Sequence, residues 1–262
     1  MKIGNCGSVD QAPLAQKLGF DYIEENVQSF LKPLESDDAF APNLAKAESS
    51  PLPIPAANAF LPGTLKSTGP DVDLAAIERY AAVAFRRAHQ VGIHRVVFGS
   101  GVSRRVPDGF DQAKALDQFV DVLRRIGPLA ADHNVIIVIE PLQLSEGNLI
   151  NTVAQGAEVA RLADHPHVQL LADFFHMLRN GEPPEDCRQY GQIIRHVHLA
   201  EKRERTCPGI DGDDFTPFLR GLFAAGYTGL LSLECKFPHD IETDAPNALA
   251  LLREQIAAAR GD

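Results

Sequence analysis

Four residues in the second half of the chain have the types and positions needed to hold a metal ion. Glu140 follows the apolar run VIIVI, Asp173 follows VQLLA, His198 ends IIRHVH and Glu234 follows LLSL. A charge at the end of an apolar strand is costly to bury unless it has a partner. One shared cation would satisfy three carboxylates and an imidazole together. Taken singly, each residue more often has a structural role; their recurrence on successive runs is what favours a common ligand set. Three hard oxygens and one nitrogen suit Mn²⁺ or Mg²⁺, with Co²⁺ and Zn²⁺ also compatible. His196 precedes His198 by two residues, so on a strand both face the same side. His198, nearer the end of its run, is the expected ligand, and His196 is expected to pack inside the fold.

Positioning such a set requires strands that end at one place. Apolar runs suited to strands occur at 2–6, 22–27, 53–58, 94–99, 135–141, 168–174, 193–200 and 229–236. Several are nearly continuous in Val, Ile and Leu, as expected for parallel strands covered by helices. Helical spacing places Leu74, Ile77, Ala81, Phe85 and Ala88 on one face, and Leu116, Phe119, Leu123, Ile126 and Ala130 on another. Further helices fit 9–18, 152–164, 185–192, 214–226 and 245–260. Asp71 and Asp73 are candidate N-caps, and Gly19, Gly92 and Gly226 stand where helices should stop. Segments 31–52 and 99–111 read as long loops.

Eight strands alternating with helices predict an α/β fold, a (β/α)8 TIM barrel formed as a single domain over 1–262. The length of 262 residues suits it, since such barrels need about 250. A doubly wound sheet would usually carry a Gly-rich phosphate turn after its first strand, and NCGSVD is not one. A net charge of −10 argues against a nucleic-acid partner, which needs clustered Lys and Arg. The four cysteines show no C-x-x-C spacing and read as reduced thiols. With no signal sequence and no membrane-length apolar run, the expectation is a cytoplasmic protein with no membrane partner. The sequence leaves a homo-oligomer open.

The segments IEPLQLSEGNLINT (139–152), LLADFFHM (170–177), HVHLAEKRERTCPG (196–209) and AGYTGLLSLECKF (225–237) resemble the xylose-isomerase-like barrel superfamily of sugar isomerases and epimerases. The likeness is greatest to the ketose 3-epimerases, and FLPGTLKSTGPDVD (60–73) and FGSGVSRRVPDGF (98–110) share it. The resemblance implies that Glu140 and Glu234 bind the metal and also donate and accept the proton, while Asp173 and His198 hold the ion. It implies substrate contacts by Glu146, by His176 and by an arginine before Pro208. Arg205 matches that position with one extra residue in the loop, and Arg203 is the alternative.

Asn58, at the end of the third strand, suits either a sugar contact or a loop cap. Lys236 departs from the Glu-Pro-Phe that ketose epimerases carry, and suits either a substrate carboxylate or carbonyl or an ordinary surface role. Glu24 and Glu25 read more readily as a solvated loop pair than as substrate ligands, and Arg104 and Arg105 as loop residues that close over substrate. The function implied is a metal-dependent isomerase or epimerase of a ketose or related keto-polyol, acting through an enediolate on a small-molecule sugar. The alternative is a dehydratase or lyase using the same proton abstraction on a keto-inositol, dehydroshikimate or keto-glycoside. A catalytically silent sugar-binding subunit is the third reading. Endonuclease chemistry would need a histidine-rich metal cluster and a basic surface, and the chain has neither.

Overall fold

The structure is a computed structural model that describes residues 1–261. Eight parallel strands close into a barrel in sequence order: β1 (Lys2–Cys6), β2 (Tyr22–Asn26), β3 (Ala56–Asn58), β4 (Arg95–Phe98), β5 (Ile136–Ile139), β6 (Val168–Asp173), β7 (Ile194–Leu199) and β8 (Leu230–Leu233). The helices are α1 (Ala12–Leu18), α2 (Asp37–Ser49), α3 (Leu74–Gln90), the single turn α4 (Gly101–Arg104), α5 (Gln112–Asp132), α6 (Val153–Ala163), α7 (Phe174–Asn180), α8 (Glu185–Tyr190), α9 (Thr216–Ala224) and α10 (Ile241–Arg260). Among the described residues no helix is long and apolar enough to cross a membrane.

The TIM-barrel expectation holds, and the eight expected strands are the eight observed, with ends shifted by up to three residues. Asp73 caps α3 by accepting from the Ala76 N–H, while Gly19, Gly92 and Gly226 all adopt the left-handed conformation at helix ends. Five expectations need correction. The 31–52 loop contains α2, a helix started by the Ser36 cap and burying only Phe40, so its amphipathic signal is weak. Segment 99–111 contains the turn α4. The helix expected at 245–260 begins at Ile241 behind the Asp240 cap, which accepts from the Thr243 N–H, and carries Pro246 inside it. α7 falls where no helix was expected, directly after the Asp173 ligand candidate. The helix expected over 9–18 is also divided, into a 3₁₀ turn at Val9–Gln11 followed by α1.

The main core lies between the sheet and the helices. A second, small cluster of Val97, Val138 and Leu171 is separate from it. These residues alternate with Phe98, Ile137, Ile139, Leu170 and Ala172 of the main core, so they face the barrel interior. The same inward register on β7 and β8 carries His196 and Ser232. Two residues further along each strand come Glu140, Asp173, His198 and Glu234. One layer of interior side chains therefore lies directly beneath the four candidate ligands. A register shift between Leu170 and Leu171, where β7 carries one extra residue, sets Asp173 opposite His198.

On the other side of the interior, the Tyr22 hydroxyl of β2 donates to Ser232 Oγ at 2.7 Å, and Ser232 donates to Glu24 at 2.5 Å. Gly4 makes room for the fully buried Tyr22 ring, which a methyl group at this position would overlap. Gly4→Ala is expected to cost about 1–3 kcal/mol of stability, the usual penalty for overpacking. In urea denaturation, a Gly4→Ala/Tyr22→Leu double variant should recover part of that loss. A Gly4→Ala protein as stable as the wild type would contradict this packing.

Candidate metal centre

Glu140, Asp173, His198 and Glu234 each offer one ligand atom, and these four atoms lie within 4.8 Å of one another. The His198 ring is fully buried, with Nδ1 3.4 Å from Glu140 Oε1 and 3.1 Å from Glu234 Oε2. Its other nitrogen, Nε2, donates to Glu24 Oε1 at 2.8 Å. Asp173 divides its oxygens: Oδ1 caps α7 by accepting from the Phe175 N–H, and Oδ2 faces the cluster. Glu140 Oε1 and His198 Nδ1 are buried without a hydrogen-bond partner. Two buried atoms without hydrogen-bond partners facing each other across a short gap, flanked by two more carboxylates, are the set a divalent cation would complete.

The cap that starts α7 also fixes His176, one turn on. His176 Nδ1 accepts from the Gln143 N–H at 3.2 Å, which leaves Nε2 as the protonated nitrogen of the neutral ring. Nε2 lies 3.4 Å from Asp173 Oδ2, 3.9 Å from Glu140 Oε1 and 4.0 Å from Glu146 Oε2. Glu146 stands at the mouth, part exposed. Asn58 donates to Glu234 Oε1 at 3.0 Å, so its amide belongs to the cluster rather than to a loop cap.

Arg205 reaches the centre and Arg203 does not. The Arg205 guanidinium contacts Glu234 Oε2, lies 3.3 Å from Asp173 Oδ2 and 3.8 Å from Glu146 Oε1, and stacks on Phe175 at 4.6 Å. Arg203 is exposed and pairs with Asp211. Lys236 is exposed and is among the residues that line the cleft. That cleft has two lobes of about 630 and 610 Å³, meeting at Asn26, Asn58, Arg205 and Glu234.

The two glutamates sit in unequal fields. Burial raises the Glu140 carboxyl above its ordinary range, and the neighbouring Glu234 pushes the same way. Burial would also raise Glu234, but His198 and Arg205 outweigh it and hold Glu234 down to about 2. Burial works against a charged His198, yet Glu24 and Glu234 raise it well above the usual imidazole range.

Several residues differ from the sequence expectation. Glu24 and Glu25 are not a solvated pair: both are buried, Glu24 within the barrel and Glu25 accepting from the Val9 and Asn26 N–H groups. Arg104 does not close over the site; it is buried and donates to the carbonyls of Phe98 and Glu140, tying β4 to the end of β5. Arg105, by contrast, lines one lobe and donates to the Glu146 carbonyl. Glu201 carried no sequence signal within its charged run. It is fully buried and accepts from Gly209 N at 2.8 Å, Gly212 N at 3.0 Å, Asp211 N and Thr206 Oγ1. These bonds shape the loop in which Arg205 holds a left-handed backbone, an unfavourable conformation for a side-chain-bearing residue.

Gly99 supplies the space for the Glu140 carboxylate, which a methyl group there would overlap. Gly99→Ala is therefore expected to keep the fold and to weaken Mn²⁺ binding by about 10-fold or more, comparable to losing a supporting contact. Calorimetric titration with Mn²⁺ checks this, and wild-type affinity in the variant would contradict it.

A family described as "Xylose isomerase-like TIM barrel" matches residues 12–255. The chain is 30% identical over 115 residues to a 3-dehydro-D-guloside 4-epimerase of Escherichia coli, covering 44% of each protein. It is 33% identical over 99 residues to a probable ketose 3-epimerase of Synechocystis, covering 37% of this chain and 33% of that one. These matches thus span less than half of either relative. A crystal structure of a D-psicose 3-epimerase in the presence of D-fructose superposes with a TM-score of 0.84 at 21% identity, covering 98% of this chain and 99% of the other, a likeness of fold. The eight-stranded barrel, the candidate ligand cluster at the ends of its strands and the match over nearly the whole length lead to one conclusion: the chain belongs to the xylose isomerase-like TIM-barrel family.

Proposed function

We propose that this protein is a divalent-metal-dependent epimerase or isomerase of a keto sugar, moving a proton beside the carbonyl by way of an enediolate. The observation that carries the reading is the convergence of Glu140, Asp173, His198 and Glu234, with Glu140 Oε1 and His198 Nδ1 left unpaired between them. Relatives named as a probable ketose 3-epimerase and a 3-dehydro-D-guloside 4-epimerase support this class of chemistry.

These four residues would hold the ion, with Mn²⁺ or Mg²⁺ favoured by the three oxygens. When bound, the ion supplies Lewis-acid stabilisation of the charge that develops on the carbonyl oxygen. The protein supplies the proton transfer. Glu140 and Glu234 project from the ends of β5 and β8, so a sugar bound between them would meet one of their carboxyl groups at each face of the reacting carbon. The two carboxyl groups would divide the labour, one accepting the proton and the other returning one. Inversion follows when donor and acceptor act from opposite faces.

His176 Nε2–H, Glu146, Arg205 and Asn58 are the groups placed to bind the hydroxyls. Arg205 neutralises the acidic cluster before substrate arrives, and Lys236 stands at the rim where a distal substrate group would pass. The two lobes are each within the range of about 300–1,000 Å³ typical of small-molecule sites. This leaves room for a ketose or for a larger keto-polyol.

The decisive experiment incubates Mn²⁺-loaded protein in heavy water with ketoses, keto-inositols and keto-glycosides. Deuterium gained beside the carbonyl of an intact sugar is the expected result. An unsaturated, ultraviolet-absorbing product would establish the lyase instead, and no exchange into any compound would overturn the reading. Glu140→Gln and Glu234→Gln should each lower turnover by about 10²–10⁴-fold, the usual share of a general acid or base. Asp173→Ala and His198→Ala should lose Mn²⁺ affinity, and normal binding by both would refute the ligand set.

A pH effect follows from His198. Its raised pKa means that the metal-free protein carries a proton that must leave before Nδ1 can coordinate. Mn²⁺ affinity should therefore rise with pH through the neutral range. Titrations at pH 7 in buffers of different ionisation enthalpy should show release of about one proton per ion bound.

A further inference from the structure

Glu24 is a fully buried carboxylate on a strand that contributes nothing else to the ligand set, yet both of its oxygens are committed. Oε1 accepts from His198 Nε2 at 2.8 Å, while Oε2 accepts from His196 Nε2 at 2.6 Å and from Ser232 Oγ at 2.5 Å. Glu24, Cys6 and His198 also lie close enough to form a second possible metal group. Both Glu24 oxygens are engaged in hydrogen bonds, including the one to His198 Nε2, and an ion in that group would have to compete with them.

We propose that Glu24 is a positioning residue for the metal centre: it binds the Nε2–H of His198 and so fixes Nδ1 as the coordinating nitrogen. The proposal rests on the metal-dependent reading above. A neutral imidazole carries one N–H, and whichever nitrogen bears it cannot ligate. An ionised carboxylate only accepts, so the nitrogen facing Glu24 must be the protonated one. The other nitrogen then presents its lone pair to the gap between Glu140 and Glu234, where Nδ1 is buried without a partner. The carboxylate also locks the ring plane and makes the ligand more electron-rich, as carboxylates behind metal-bound histidines do.

Anchoring is reinforced from below. His196, Ser232 and Tyr22 form a continuous buried network with Glu24 that bridges β2, β7 and β8 through the barrel interior. His196 occupies the interior layer one step beneath His198, so the pair of histidines acts as two attachment points on a single carboxylate. Glu24 is thereby held from three sides, and the His198 ring inherits that rigidity.

The test uses the full-length protein and two probes. Mn²⁺ titration compares wild type with Glu24→Gln, which keeps the shape but loses the charge and one of the two acceptor oxygens. Affinity is expected to fall about 10–100-fold, the range for supporting contacts behind a ligand, with the melting temperature of the metal-free protein recorded alongside. Unchanged Mn²⁺ affinity in a folded Glu24→Gln protein would overturn the positioning role while leaving the metal centre intact. Nitrogen-15 NMR of the Zn²⁺-loaded wild type provides a readout that needs no variant. The His198 Nδ1 resonance should carry the metal-bound shift, and Nε2 should retain a slowly exchanging proton. Coordination through Nε2 would overturn the proposal outright. A wild type that binds neither ion would overturn it together with the reading on which it rests.

Discussion

Carboxylates cannot be buried without countercharge, and the upper end of this barrel depends on that constraint. Glu24, Glu140, Asp173 and Glu234 all lie at or within the mouth, and the protein offsets them with a small set of groups. His198 stands between Glu24 on one side and Glu140 and Glu234 on the other. Arg205 spans Glu234, Asp173 and Glu146. Even so, Glu140 Oε1 and His198 Nδ1 remain without partners. The residual imbalance is local and directed at the gap between the candidate ligands.

Rigid elements hold the acidic cluster in place, and loops supply its adjustable part. The four candidate ligands project from consecutive strands in a common inward register, above Val138, Leu171, His196 and Ser232. Arg205 instead lies on a loop ordered by Glu201, a buried carboxylate that satisfies several backbone N–H groups at once. A cation carried on a loop can yield its contacts with Glu234 and Asp173 more readily than one set in a strand. The same division governs the mouth, where exposed Lys236 and part-exposed Glu146 sit beyond the strand ends.

Much of the fold was legible because the relevant signals are local. Each strand is a short apolar run, α3 and α5 have strong helical periodicity, and the Asp73 cap with the terminal glycines punctuates them. α2 and α7 were illegible for physical reasons. α2 buries little and contains Pro42, while α7 follows a strand without a polar break, its cap being the candidate ligand Asp173 itself. Glu24 was misread because an acidic pair at a strand end, viewed in isolation, looks solvated. Only the closed barrel brings β2 across from His196 and His198. Arg104 was misread for a similar reason, since its partners are backbone carbonyls that no side-chain pattern reveals.

By itself the sequence determined the succession of strands and helices, the barrel class and the residues at the strand ends, because apolar runs and helical periodicity are properties of neighbouring residues. The metal-type cluster follows from that register, as every ligand candidate lies two residues beyond an interior position. Tertiary structure decided which side chains share charge across the interior. It selected Arg205 over Arg203, placed Asn58 against Glu234 and turned one nitrogen of His198 toward Glu24. Those choices depend on distances between elements far apart in the chain, and closure of the barrel sets them.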